Sequence, residues 1–342
     1  MIIAVHGDNG FAPRWRTAAE RMGIRVKHVN ALSNTVWKDL NGCTALLWHV
    51  DHENSVDLEF ARSVLLTAEQ RRLRVYPDHR TVWHFDDKVA QKYLLEAIDA
   101  PIAPTWVFFD RRDAEQFLSA ATFPLVFKLR GGAGSLNVRM IRSRREGLRM
   151  VSAMFGRGLP AFPIGGSLVR VASRARQAYG KKSSLWRRAW RVMGLMARKL
   201  RSFGRERGYV LFQEFVPGND HDVRVTVVGE RAFVFMRTVR PGDFRASGSG
   251  MIQYLEPDAI PLDMVDLAYS ITQKLGTQSL ALDFVRDPDS RRPILLEISY
   301  SFVASAVEAC PGYLKPDHTW VPGTVDVPEL ILRDLMADEA RR

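Results

Sequence analysis

Along the first eighty residues the apolar positions follow two alternating periods. Short apolar runs at residues 2–5, 24–29, 45–50 and 73–76 read as buried strands, while residues 11–22 and 58–71 repeat apolar positions at helical spacing. Strands separated by helices need crossover connections, so this stretch predicts a small parallel α/β layer. The turn His6-Gly7-Asp8-Asn9-Gly10 follows the first strand at the carboxyl edge, where such sheets take ligands; a plain strand-to-helix turn is the simpler reading.

A second pattern begins near Asp86. A helix is predicted over residues 88–98, closed by Ala100-Pro101, then strands at 106–109 and 125–129 with a helix starting at Arg112 between them. The loop Gly131-Gly132-Ala133-Gly134-Ser135 leads into another strand, 136–141, and so differs from Walker or Rossmann loops, which open a helix. Further on, residues 210–216 read as a strand, 223–228 and 232–236 as a hairpin, 240–250 as a polar loop and 262–275 as a helix. A second hairpin joins strands 279–286 and 293–299 through the turn at 287–292.

Composition narrows the class. With 342 residues, 46% hydrophobic and 25% charged, the chain is an ordinary globular protein, which excludes wholesale disorder, collagen and coiled coil. Two cysteines, Cys43 and Cys310, cannot build a disulfide framework or a zinc cluster, and the expected compartment is the cytoplasm. No apolar run approaches the ~18 residues of a spanning helix. The net charge of +11 suggests nucleic acid until it is located: residues 170–208 hold 13 Lys and Arg and one acid, Glu206. The remainder is close to neutral, so a nucleic-acid role for the whole chain is unsupported.

Four constellations carry candidate chemistry. Lys88 and Lys128 accompany the glycine loop, where amides can approach phosphate oxygens and ammonium groups neutralise them. Gln213 and Glu214, amid apolar strand residues, suit an adenine edge. Asp222 and Arg224, with Arg245 in the loop Arg245-Ala246-Ser247-Gly248-Ser249-Gly250, suit phosphate or carboxylate recognition; Asp220 is the alternative acid, and a pair of surface arginines is the bland reading. Asp283 and Glu297, on neighbouring predicted strands, need a divalent cation or a cationic side chain; Mg²⁺ accepts two carboxylates plus substrate oxygens, and a structural salt bridge is the alternative.

In this order the residues resemble the ATP-grasp superfamily: Asp87-Lys88, Pro124-x-Val126-x-Lys128 with the glycine loop, Gln213-Glu214-Phe215-Val216, Asp222-Val223-Arg224-Val225, Asp283, and Glu297-Ile298-Ser299. The resemblance implies an ATP-grasp fold, α+β in its ATP-binding part, behind an N-terminal parallel α/β pre-ATP-grasp domain. The implied domains are residues 1–84, a small subdomain at 85–212 with a basic helical insert at 170–208, and a large subdomain at 213–342. It also implies ATP and Mg²⁺ as cofactors. Lys88, Lys128, Gly131, Gly132, Gly134 and Ser135 would take the phosphates, and Gln213, Glu214 and Val216 the adenine. Asp222 would lie near the ribose, Arg224 and Arg245 at the transferring phosphate, and Asp283, Glu297 and Ser299 on the metal. Ser299 departs from the usual asparagine.

The activity so implied is ADP-forming ligation of a carboxylate to an amine through an acyl-phosphate. The tail from Cys310 to Gly323 is similar to ATP-grasp proteins associated with bacterial surface polysaccharides, which suggests sugar-linked substrates. A small-molecule kinase and a non-catalytic nucleotide- or membrane-binding protein are the alternatives. Within the basic segment, Trp186, Trp190, Met193, Ala197 and Leu200 share one helical face flanked by arginines. That pattern fits a lid helix, or a helix at the inner face of an anionic membrane.

Overall fold

The computed structural model describes residues 1–132, 137–161, 203–240 and 242–337. The chain divides into two compact units, one comprising Met1–Asp86, Ala90–Ile102 and Val216–Arg342, the other Asp87–Val89 and Ala103–Phe215.

The first unit opens with strands β1 (Ile2–His6), β2 (Arg25–Val29), β3 (Ala45–Trp48) and β4 (Arg74–Tyr76), paired in parallel in the order β2-β1-β3-β4. Ile3, Ala4, Val5, Leu46 and Leu47 are fully buried, as expected of a parallel sheet covered on both faces. Helix α1 (Ala12–Arg21) has Pro13 in its first turn, where no intrahelical amide is lost. Helix α2 (Ser55–Gln70) starts three residues earlier than its apolar periodicity indicated, because the Asn54 side chain caps it by accepting the Val56 amide at 3.1 Å.

Helix α3 (Lys88–Ala97) begins with Lys88 and Val89 in the second unit and continues in the first. The second unit holds β5 (Thr105–Phe108), β6 (Leu125–Lys128), β7 (Val138–Ile141), β8 (Leu159–Pro160), β9 (Arg205–Glu206) and β10 (Val210–Glu214). Four of these form an antiparallel sheet in the order β5-β10-β6-β7. Helices α4 (Arg111–Ala120) and α5 (Arg144–Phe155) belong to the same unit and its hydrophobic core. The Phe117 ring lies 4.8 Å from Trp106, 5.1 Å from Phe108 and 6.1 Å from Phe212, all on one face of the sheet. Helix α5 was absent from the sequence reading, although Ser143 accepts the Glu146 amide and Glu146 accepts the Arg142 amide, a reciprocal start signal. Strands β8 and β9 pair, so the chain returns from the basic segment beside the point where it left.

The rest of the first unit is β11 (His221–Val228), β12 (Arg231–Thr238), β13 (Ile252–Tyr254), β14 (Ser279–Arg286), β15 (Pro293–Ser299), β16 (Gly312–Leu314) and β17 (Trp320–Pro322). They form an antiparallel sheet in the order β15-β14-β11-β12-β16-β17, with β13 also on β12. Helix α6 (Leu262–Leu275) packs Met264, Val265, Ala268 and Ile271 with Val223, Val225, Val227, Leu282 and Phe284 in a single core. It ends at Gly276, whose φ of 63° is the left-handed conformation a glycine adopts without strain. Residues 1–84, set apart as a domain by the resemblance, share a core with this sheet. The Tyr76 hydroxyl meets the Ser279 hydroxyl at 2.7 Å, Tyr300 accepts the Val50 amide at 3.0 Å, and Phe233 and Phe235 belong to the core built around Trp15 and Trp48.

Candidate active site

The candidate residues fall into two groups, one in each unit. In the second unit Lys128 ends β6, opposite Leu211 on β10 and Val138 on β7, and only 8% of it is exposed. Alternation along the strands puts Thr105, Val126, Lys128, Leu211 and Gln213 on the face opposite the helices. Gln213 is buried and donates through Nε2 to the Thr105 hydroxyl at 3.0 Å. Glu214, one residue on, points to the other face and is exposed; its amide donates to the Pro104 carbonyl at 2.8 Å. The structure therefore groups Lys128 with Gln213 and leaves the Glu214 side chain out of that set.

Lys88 is 7% exposed and donates from Nζ to the Gly132 carbonyl at 2.9 Å, while its amide donates to the Arg130 carbonyl at 2.9 Å. The first turn of α3 is thus fastened to the start of the glycine loop. Gly131 donates its amide to Glu206 at 3.2 Å, and Gly132 has a φ of 112°, which favours glycine. Gly134 and Ser135 lie outside the described residues, as does the part of the basic segment that carries Trp186, Trp190, Met193, Ala197 and Leu200.

In the first unit the group is denser. Arg224 on β11 stands directly opposite Asp283 on β14, which stands opposite Glu297 on β15. Asp222, two residues before Arg224, stands opposite Arg237 on β12. All five share the face turned away from α6. The Asp283 carboxylate accepts from Arg224 Nε at 2.7 Å and from its second nitrogen at 2.8 Å, and from Arg237 at 2.7 Å. Arg237 also forks onto Asp222 at 2.7 and 2.5 Å. Asp222, Arg237 and Asp283 are all nearly inaccessible to solvent.

Two carboxylates and two guanidiniums so close hold one another in place. Burial raises the pKa of Asp283, but Arg224 and Arg237 outweigh it and hold the carboxyl well below the usual range. Asp222 shifts the other way: burial, and next the nearby Asp283 charge, raise its pKa against the lowering effect of Arg237 and Arg224. Burial opposes the charge of Arg237 too, yet the two carboxylates raise its pKa above the ordinary value.

A β-bulge decides where Glu297 points. Asp283 pairs with Glu297 but Phe284 pairs with Leu295, so Leu296 is the extra residue. Leu295 enters the core under α6, whereas Glu297, two positions on, reaches the charged face. Ser299, opposite Ala281, donates its hydroxyl to the Ser301 carbonyl at 2.8 Å, which leaves the oxygen lone pairs as acceptors. Glu297 and the Ser299 hydroxyl are oxygen donors of the kind Mg²⁺ takes alongside substrate oxygens, whereas both Asp283 oxygens accept from the two arginines, the cationic partner that was the alternative to a metal. Among the described residues no cluster of three or more His, Cys, Asp or Glu side chains is set to hold a metal by itself.

Three other residues named from the sequence stand apart. Val216 is half-buried just beyond β10. Arg245 is held within its own loop by Asp243, at 2.8 and 2.9 Å, and that pairing raises the guanidinium pKa and lowers that of the carboxyl. Asp220 is exposed and bonds to its neighbour His221 at 2.6 Å. Sequence reasoning missed Arg237; the signal was an arginine ending the apolar run Phe233-Val234-Phe235-Met236. It also gave Glu206 no role beyond its count as the lone acid of the basic segment.

No family model and no curated protein matches the sequence. Solved structures do match the fold. The RimK domain ATP-grasp protein of Sphaerobacter thermophilus DSM 20745 aligns over 98% of this chain and 100% of its own, with 14% identity and a TM-score of 0.55. D-alanine–D-alanine ligase from Bacillus anthracis aligns over 100% of this chain and 99% of its own, with 10% identity and a TM-score of 0.55. The ATP-grasp ligase PsnB, in complex with precursor peptide PsnA2 and AMPPNP, aligns over 100% of this chain and 98% of its own at 14% identity and a TM-score of 0.55. PsnB has also been solved with a minimal precursor, Mg and ADP. The chain has the ATP-grasp fold, with a parallel α/β layer at its N-terminus. No described helix is long and apolar enough to cross a membrane.

Proposed function

We propose that this protein is an ATP- and Mg²⁺-dependent ligase that activates a carboxylate as an acyl-phosphate and joins it to an amine. The observation that carries this reading is the charged face of the first unit, where Arg224, Arg237, Asp222 and Asp283 form one network and Glu297 flanks it. Such a face offers fixed cations to a phosphoryl group in transfer and fixed oxygens to a divalent ion.

Lys88, Lys128 and the glycine loop, including Gly134 and Ser135, would take the triphosphate. Gln213, with the backbone from Glu214 to Val216, would take the base, and Asp222 would act indirectly by holding Arg237. Asp283, Glu297 and Ser299 would hold Mg²⁺, which, when bound, screens the charge of the phosphates. A substrate carboxylate oxygen attacks the γ-phosphorus and the bond from phosphorus to the β,γ-bridging oxygen breaks, releasing ADP. The amine then attacks the acyl carbon, phosphate leaves, and the nitrogen loses a proton. Arg224 and Arg245 would offset the charge that gathers on the phosphoryl oxygens. No protein nucleophile is required.

The finer reading, a sugar-linked carboxylate or amine handled beside an anionic membrane, is supported by the sequence alone: the tail from Cys310 to Gly323 and the +12 charge of residues 170–208. The test is ADP release from Mg-ATP with pools of amino acids and uronic acids in the presence of hydroxylamine. A hydroxamate demonstrates an activated acyl group and leads to the acid. ADP with a stable phosphorylated product and no hydroxamate replaces the ligase with a kinase.

A further inference from the structure

The glycine loop is fastened at its base by a residue to which that reading gives no role. Glu206, on β9, is the one acid among the 13 basic residues of positions 170–208. In such company a carboxylate is expected to pair with an arginine, yet none of the described arginines pairs with it. Its neighbour Arg205 donates instead to the carbonyls of Arg157 and Gly158, at 2.8 and 2.6 Å. Glu206 accepts two consecutive backbone amides, Arg130 at 3.0 Å and Gly131 at 3.2 Å, one on each carboxylate oxygen.

Tyr209 completes the arrangement. Its hydroxyl accepts the Arg130 amide at 2.6 Å and donates to Glu206. Burial, and next the Glu206 charge, push the phenol pKa well above its ordinary value, so the hydroxyl keeps its proton and remains a donor. Asn137 holds the far side of the loop, donating to the Gly131 carbonyl at 3.3 Å and the Ala161 carbonyl at 2.7 Å. Lys88 holds the Gly132 carbonyl.

We infer that Glu206 and Tyr209 are positioning residues for nucleotide binding: by holding the amides of Arg130 and Gly131, they fix the backbone that follows Lys128 at the start of the glycine loop. The inference rests on the ATP reading above. A carboxylate suits the task because both amides are donors and both of its oxygens accept. A glutamine in its place offers one oxygen, and its NH₂ faces an N–H. The charge-assisted character of the remaining bond is lost as well. The carboxylate sits on β9, so that strand is joined directly to the backbone at Arg130 and Gly131.

The experiment compares wild type with Glu206→Gln and Tyr209→Phe in the full-length protein. Calorimetry measures the dissociation constant of Mg-AMPPNP, and hydrogen exchange follows the amides of Arg130 and Gly131. The expected result for Glu206→Gln is affinity about tenfold weaker, with exchange at those two amides about tenfold faster and β6 and β10 unchanged. Tyr209→Phe should move both readouts in the same direction by less. If wild type binds AMPPNP and Glu206→Gln binds it equally or more tightly, this inference is overturned and the ATP reading stands. If wild type binds no AMPPNP, the ATP reading fails, and the nucleotide role of Glu206 fails with it.

Discussion

The two units fix their charged groups by different chemistry. In the first, the partners are side chains on neighbouring strands: Arg224 opposite Asp283, Arg237 opposite Asp222, and a third contact from Arg237 to Asp283. In the second, the anchoring is largely between side chains and backbone: Glu206 on the amides of Arg130 and Gly131, Lys88 on the Gly132 carbonyl. Strands set the spacing of side chains to within a fraction of an ångström, so ion pairs can be built across them. A loop has no such register, and its backbone must be held directly. The first unit therefore holds a preset, largely buried charged network, while the second holds the start of a loop by its backbone.

The largest test of this contrast is Asp283→Ala. It strips Arg224 of its carboxylate and Arg237 of one of two, leaving buried guanidinium charge uncompensated. Unfolding by urea should show a loss of about 3–5 kcal/mol, far more than Glu206→Gln causes. A loss below about 1 kcal/mol would mean that the network is not a structural unit.

Acid sensitivity separates the units next. All eight histidines lie in the first unit. His49 and His84 are each lowered to about 4, chiefly by burial. A histidine depressed in the folded state binds its proton more readily when unfolded, so stability is complete above about pH 6.5 and falls as pH drops toward 4. Each contributes a slope of up to about 1.4 kcal/mol per pH unit in that window. Asp283, whose folded pKa is also depressed, acts lower still: its contribution is present above about pH 4 and fades only below it. Denaturant melts across pH 4–7 should therefore show the acid loss, and His84→Phe should flatten it; an unchanged slope would remove His84 as a cause.

Glu297→Gln should have the smallest effect on stability, about 1 kcal/mol or less, because Glu297 is half-buried at the edge of the network. Its expected effect is on metal: the Mg²⁺ concentration for half-maximal ADP release should rise several-fold. An unchanged requirement would assign the metal elsewhere.

Much of this could be read along the chain. Buried apolar runs separated by helices specified the parallel layer, because a strand covered on both faces must be apolar throughout. Strands β14 and β15 and helix α6 were read at their observed limits, since a polar turn separates the two apolar strands and a glycine ends the helix. Lys128, Asp283 and Glu297 stood out because charge amid apolar neighbours is costly without a partner, and Lys88 through its pairing with Lys128 and the order of the motifs.

What the sequence left open depended on contacts between distant residues. Simple alternation puts Leu295 and Glu297 on one face, and only the bulge at Leu296, a property of the pairing with β14, sends Glu297 to the charged side. Arg237 became a functional candidate through its opposition to Asp222, 15 residues away, and Glu206 through amides more than seventy residues earlier in the chain. The merging of residues 1–84 with the later sheet follows from contacts such as Tyr76 with Ser279 and Val50 with Tyr300. Local pattern determines which residues must be buried or charged; only the folded chain determines which distant residue satisfies each of them, because burial demands a partner without naming it.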